Sequence, residues 1–115
     1  MNDSILEYVK PNLGGIPEDC TAFDSEIISY INSSIMIVSQ LVPGVTKNFS
    51  VKSSDDTWHD FFSNIDEYQA IKDFIVLRVK LRFDPPSSSF VLKAFQEELK
   101  ELEWRIIEQR TLKDL

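Results

Sequence analysis

His59 is the one histidine of the chain and Cys20 its one cysteine. Their side chains are the ones that most readily do chemistry near neutral pH. His59 sits among Asp55, Asp56 and Asp60. Imidazole and carboxylate are both metal ligands, so this run invites a metal reading, but its spacing matches no established ligand motif. Aspartates at a helix start are in any case favoured by the positive end of the backbone dipole. Cys20 as a nucleophile would need His59 as its base from across the fold. A small side chain filling a loop is the simpler reading. The sequence holds no Gly-rich phosphate loop, no HExxH, CxxC or GxSxG, and no EF-hand loop. No catalytic residue, metal or cofactor is therefore expected, and the residues point to a structural or interaction protein.

The composition agrees. The chain has 115 residues, the size of one domain. Its hydrophobic fraction is 43%, with eight Phe, three Tyr and two Trp to build a core. The formal net charge of −7 argues against a surface that grips nucleic acid or anionic membranes. One cysteine permits no internal disulfide and suits a reducing compartment. Met1-Asn2-Asp3-Ser4 has neither the basic region nor the apolar run of a secretory signal. Residues 27–46 carry no charge, yet Ser29, Asn32, Ser33, Ser34, Ser39, Gln40 and Pro43 interrupt them too often for a membrane span. A soluble protein is expected.

Five helical stretches are predicted. The first, 4–12, has Ile5, Leu6 and Val9 on its apolar side and ends before Gly14-Gly15. The second, 22–42, opens near Thr21 and Asp24 and stops at Pro43-Gly44. Its apolar sector is Ile27, Ile28, Tyr30, Ile31, Ile35, Val38, Leu41 and Val42. The opposite face, with Ser29, Asn32, Ser33, Met36 and Gln40, is polar but uncharged. A solvated face usually carries Lys and Glu, so either a neighbouring subunit or another part of the chain covers this one. Residues 45–53 alternate weakly and form a short extended arm. Ser54-Asp55-Asp56 caps a short helix with Trp58, Phe61 and Phe62. The stretch 54–68 holds five acidic residues and no Lys or Arg.

The helix over 67–82 is apolar around most of its circumference and should be central. Arg78 and Arg82 share one face of it. They either snorkel or pair with glutamates of the last helix, or touch a partner subunit or face DNA in a lumen. Residues 87–109 form the last helix, in which Leu92, Phe95, Leu99, Leu102 and Ile106 make a coiled-coil-like seam against helix 67–82. Trp104 and Ile107 project away from that seam, among Glu97, Lys100, Glu101 and Glu108, and either dock a partner or are covered by another part of the chain. Residues 110–115 form a tail. Between the two long helices stands Asp84-Pro85-Pro86-Ser87. The prolines cannot extend the incoming helix and the serines can cap the next, which makes a structural corner. The expected fold is all-α: a small single-domain bundle of four to five helices with a long C-terminal hairpin.

The run Trp58-His-Asp-Phe61, the run from Ile71 through Arg82-Phe83-Asp84-Pro85-Pro86-Ser87-Ser88-Ser89-Phe90, and Leu99-Lys-Glu-Leu102-Glu-Trp104-Arg105 resemble one family of small phage proteins. The first half agrees more loosely, through Phe23-Asp24, Ile27-Ile28, Ile31-Asn32-Ser33 and Gln40-Leu41. The family is that of head–tail connector proteins, also called adaptor or head-completion proteins, of long-tailed phages and prophages of Gram-positive bacteria. The resemblance covers residues 4–109. It implies an all-helical subunit that assembles with copies of itself as a twelve-membered ring beneath the portal protein. Such a ring extends the DNA channel and docks the next neck component, a stopper or tail-completion protein. Double-stranded DNA is then only passing cargo, no membrane is involved, and the protein resides in the virion neck after assembly in the host cytoplasm. An acidic lumen would let DNA slide without sticking. The competing reading is a small helical regulator or coiled-coil dimer that uses the Leu92–Ile106 seam.

Overall fold

Ser4 caps the first helix. Its hydroxyl accepts from the Glu7 amide and starts α1 (Ile5–Val9). The computed structural model describes residues 3–17 and 19–113. A 3-10 turn, Lys10–Leu13, follows α1. Then come α2 (Asp24–Leu41), α3 (Trp58–Phe61), a second 3-10 turn at Ile65–Glu67, α4 (Gln69–Phe83) and α5 (Ser89–Lys113). The all-α bundle with its C-terminal hairpin is present.

Several expected boundaries shift for identifiable reasons. The residue before α2, Phe23, makes no side-chain cap. Asp24 lies inside the first turn and pairs with Lys10, Nζ to Oδ1 at 2.8 Å. Lys10 also donates to the Cys20 carbonyl, so one ammonium ties the preceding loop to the start of α2. Thr57 caps α3 by accepting from the Asp60 amide. Asp56, an expected cap, instead closes a turn by accepting from the amides of Lys52 and Ser53. At the Pro-Pro corner the capping hydroxyl is that of Ser88, which accepts from the Val91 amide, while Ser87 lies exposed in the bend. α5 runs on past Arg110, whose guanidinium donates to the Leu41 carbonyl at 2.9 Å. Asp114 and Leu115, the end of the expected tail, lie outside the described residues.

No strand forms among the described residues. The extended arm near 45–53 is irregular. Gly44 turns the chain at φ 93°, a region open to glycine. The arm then folds back on its own subunit, with Val51 buried and Phe49 against Phe61. The nearest thing to a ladder is a single antiparallel bridge between Ser4 and Thr57.

α4 is central, as its apolar circumference requires. Ile71, Phe74, Ile75 and Val79 are buried, and α2 and α5 flank the helix. Both run antiparallel to it. Arg78 meets Ser34 and Arg82 meets Ser33 on one side, and Gln109 donates to the Glu67 carbonyl on the other. α2 and α5 barely touch each other. The core collects Trp58, Phe61 and Phe62 beneath α4, and Leu102 and Ile106 from α5. Lys72 stacks its ammonium over the rings of Tyr8 and Trp58, at 5.1 and 5.4 Å, which ties α4 to α1 and α3. No helix among the described residues is long and apolar enough to cross a membrane.

Candidate partner-binding surfaces

The titratable cluster resolves into a clasp. His59 does not gather its sequence neighbours. Its Nδ1 meets Asp3 Oδ2 at 2.6 Å and its Nε2 meets Asp66 Oδ2 at 2.9 Å. The His59 amide donates to Asp3 as well, at 3.2 Å. Hydrogen bonding to Asp3, then to Asp66, favours the imidazolium and raises the His59 pKa. Both ring nitrogens are engaged by carboxylates, and no group of three or more potential ligands forms among the described residues. The cluster fastens the N-terminal segment to α3. Cys20 is a half-buried free thiol in a loop whose carbonyl is held by Lys10.

The expected partner-facing residues divide into two groups. Asn32, Ser33, Arg78 and Arg82 are engaged within the chain. The Asn32 carboxamide takes both backbone groups of Val51, so the arm covers this part of the uncharged α2 face. Half-buried Arg78 donates from Nε to Ser34 Oγ at 3.3 Å. Burial and neighbouring Arg82 lower its pKa, while Glu103 of α5 acts the other way. An arginine stays charged through such a shift. Exposed Arg82 lies 4.9 Å from the Tyr30 ring centroid and donates to Ser33 Oγ. The Tyr30 hydroxyl in turn donates to Glu26, which raises the tyrosine's pKa.

Trp104, Ile107 and Met36 are the second group, and they remain open. Trp104 and Met36 are each 60% exposed and Ile107 is 37% exposed. Met36 lies on the outer face of α2 with Ser29 and Gln40, which are also exposed. Trp104 lies on the outer face of α5, turned away from buried Leu102 and Ile106. A tryptophan at this exposure leaves a large apolar ring in water, which is the usual condition of an interface anchor in an isolated subunit. Residue type alone did not single out Phe90, which is 82% exposed beside the Pro-Pro corner, nor Phe23, which packs edge-on against Phe83 at the same end of the bundle.

The seam is shared out differently along its length. Leu102 and Ile106 are core and Leu99 packs against it, so α4 occupies this part of the seam that a coiled-coil dimer would need. Leu92 and Phe95 are half-buried.

Exposed Trp104 and Met36 thus sit on the outer faces of two separate helices. A family model described as phage connector protein matches residues 5–112. The chain belongs to that family, the phage head–tail connectors, and its role is structural. No curated protein and no solved structure matches it.

Proposed function

We propose that this connector assembles from copies of itself as a ring beneath the portal of a tailed phage, where it extends the DNA channel and receives the next neck component. Family membership supplies the role. The observation that carries assembly is Trp104, a ring left 60% exposed on the outer face of a long helix. At that exposure most of the indole's apolar surface faces water within its own subunit. The twelve-fold count, the stopper or tail-completion partner and the virion-neck location follow from the same reading. So does passage of double-stranded DNA as cargo. The net charge of −7 disfavours adhesion of phosphate backbones to the subunit.

Sedimentation of the protein with purified portal rings tests the proposal. Co-sedimentation in a portal-sized complex is expected. A protein that neither binds portal rings nor self-associates in their presence would sink it. The second reading, a coiled-coil dimer, has less support because Leu102 and Ile106 are filled by the chain's own core.

A further inference from the structure

Arg78 and Arg82 stand four residues apart on α4, so their side chains are neighbours, about 5–6 Å apart at Cβ. The chain has 19 acidic residues against 12 lysines and arginines, yet no ion pair among the described residues includes either arginine. Both are nevertheless held in place. Arg78 donates from Nε to Ser34 Oγ at 3.3 Å. Ser34 is fully buried and its own hydroxyl donates to the Tyr30 carbonyl, so the oxygen that meets Arg78 is itself fixed. Arg82 stacks on the Tyr30 ring and donates to Ser33 Oγ. A guanidinium carries five N–H donors, and each of these uses one in those hydrogen bonds. Burial and the like charge of Arg82 disfavour the Arg78 cation, and Glu103 of α5, acting the other way, does not outweigh them. The free subunit thus keeps two adjacent, positioned cations with no carboxylate in contact.

We propose that Arg78 and Arg82 form a binding site for the carboxylates of an acidic segment on a partner protein. The site is separate from Trp104 and does not depend on ring formation. The planar fork of an arginine meets a carboxylate through two parallel N–H···O bonds. Two such forks one helical turn apart take one carboxylate each or grip one between them. An exposed arginine is usually a weak partner because its side chain must be ordered first. Ser34, Ser33 and Tyr30 have already ordered this pair, which lowers that cost. A bound carboxylate also supplies Arg78 with the counter-charge that the fold withholds. The surroundings favour a carboxylate over a nucleic-acid backbone. The subunit carries a net charge of −7, and Glu26 on α2 and Glu103 on α5 lie on either side of the pair. Duplex DNA brings one charge per about 1.7 Å of its axis, so it would set further phosphates against those glutamates. A short acidic segment can place its carboxylates on the guanidinium groups alone.

Titration of the free, isotope-labelled subunit with an acetylated tetraglutamate amide, at fixed ionic strength, tests this by nuclear magnetic resonance. The Nε–H resonances of Arg78 and Arg82 should shift together and saturate, while that of Arg105, already paired with Glu101, should not. The Arg78→Gln/Arg82→Gln protein should bind the peptide about tenfold or more weakly, as expected when charge-assisted hydrogen bonds are lost. Arg78→Lys/Arg82→Lys keeps the charge without the fork and should fall between the two. The peptide should raise the melting temperature of the wild type and leave that of the glutamine variant unchanged. Arg78 and Arg82 resonances that stay still in a large excess of peptide would overturn the site, and so would a lysine variant that binds as the wild type does. Tighter binding of inorganic phosphate or of a DNA duplex at the same two residues would overturn the carboxylate assignment. If the glutamine variant fails to fold, the wild-type resonances and the lysine variant decide. Every arm uses the free subunit, so failure here leaves the ring reading intact.

Discussion

The Asn32 side chain holds Val51 by both of that residue's backbone groups. The Val51 amide donates to Asn32 Oδ1 at 2.7 Å, and Asn32 Nδ2 donates to the Val51 carbonyl at 3.0 Å. Val51 is 2% exposed, so water cannot freely replace these bonds. Asn32→Ala should lower stability by about 1–3 kcal/mol, the cost of leaving buried backbone groups unpaired. Urea unfolding of the isolated subunit measures it. A loss below about 0.5 kcal/mol, the scatter typical of surface substitutions, would show that the arm does not depend on this clamp.

That clamp also explains a limit of the sequence. Alternation over 45–53 reads as extended structure, because β-patterning reports side-chain placement and says nothing of who takes the backbone hydrogen bonds. Here an α2 side chain takes them, and the strand has no ladder. The α4–α5 hairpin was legible for the opposite reason: its signals are local. Apolar residues around α4, the 3-4 spacing of Leu99, Leu102 and Ile106, and Pro85-Pro86 each act within a few residues. His59 was misleading because its partners are Asp3 and Asp66, the first far away in sequence, and not the adjacent aspartates. Exposure of Trp104 was readable from its angle to the seam.

The His59 clasp makes stability depend on pH in a defined direction. The His59 pKa is raised, by Asp3 and then Asp66. For Asp3, partial desolvation pushes the pKa up, but the hydrogen bonds and charge of His59 outweigh it and the net shift is downward. A raised folded-state histidine contributes stability that is fully present below its unfolded value, about 6.5, and is lost as pH rises through the folded value. The depressed Asp3 contributes above its unfolded value, about 3.9, and loses that contribution as pH falls through its folded value. The clasp is therefore strongest between about pH 4 and 6.5. The melting-temperature difference between the wild type and His59→Ala should be largest near pH 5.5 and shrink by pH 8.5. An equal difference at both values would mean that the ion pairs contribute nothing. The groups are exposed, so added salt should weaken the effect.

The two sides of α5 should respond oppositely to substitution. Ile106 is fully buried, and Ile106→Ala should cost about 2–5 kcal/mol in unfolding experiments. Leu99→Glu should unfold the subunit, because Leu99 packs against the core. A Leu99→Glu protein that keeps its helical signal and only changes its oligomeric state would instead favour the coiled-coil reading. Trp104→Ala, on the outer face, should change subunit stability by less than about 0.5 kcal/mol.

The Pro-Pro corner sets the entry angle of α5. Asp84 ends α4 by donating to the Lys80 carbonyl, and Ser88 caps α5. With Pro85-Pro86→Ala-Ala the caps remain but the joint loosens. Assembly on portal rings should suffer more than the melting temperature of the free subunit. Equal losses in both would make the corner a folding element alone.

The central claim is that this subunit forms a connector ring at the portal. Cryo-electron microscopy of the assembled neck tests it most directly. The account predicts a ring of copies beneath the portal, coaxial with the DNA channel. A mature neck in which the portal joins the next component with no such ring between them would contradict it.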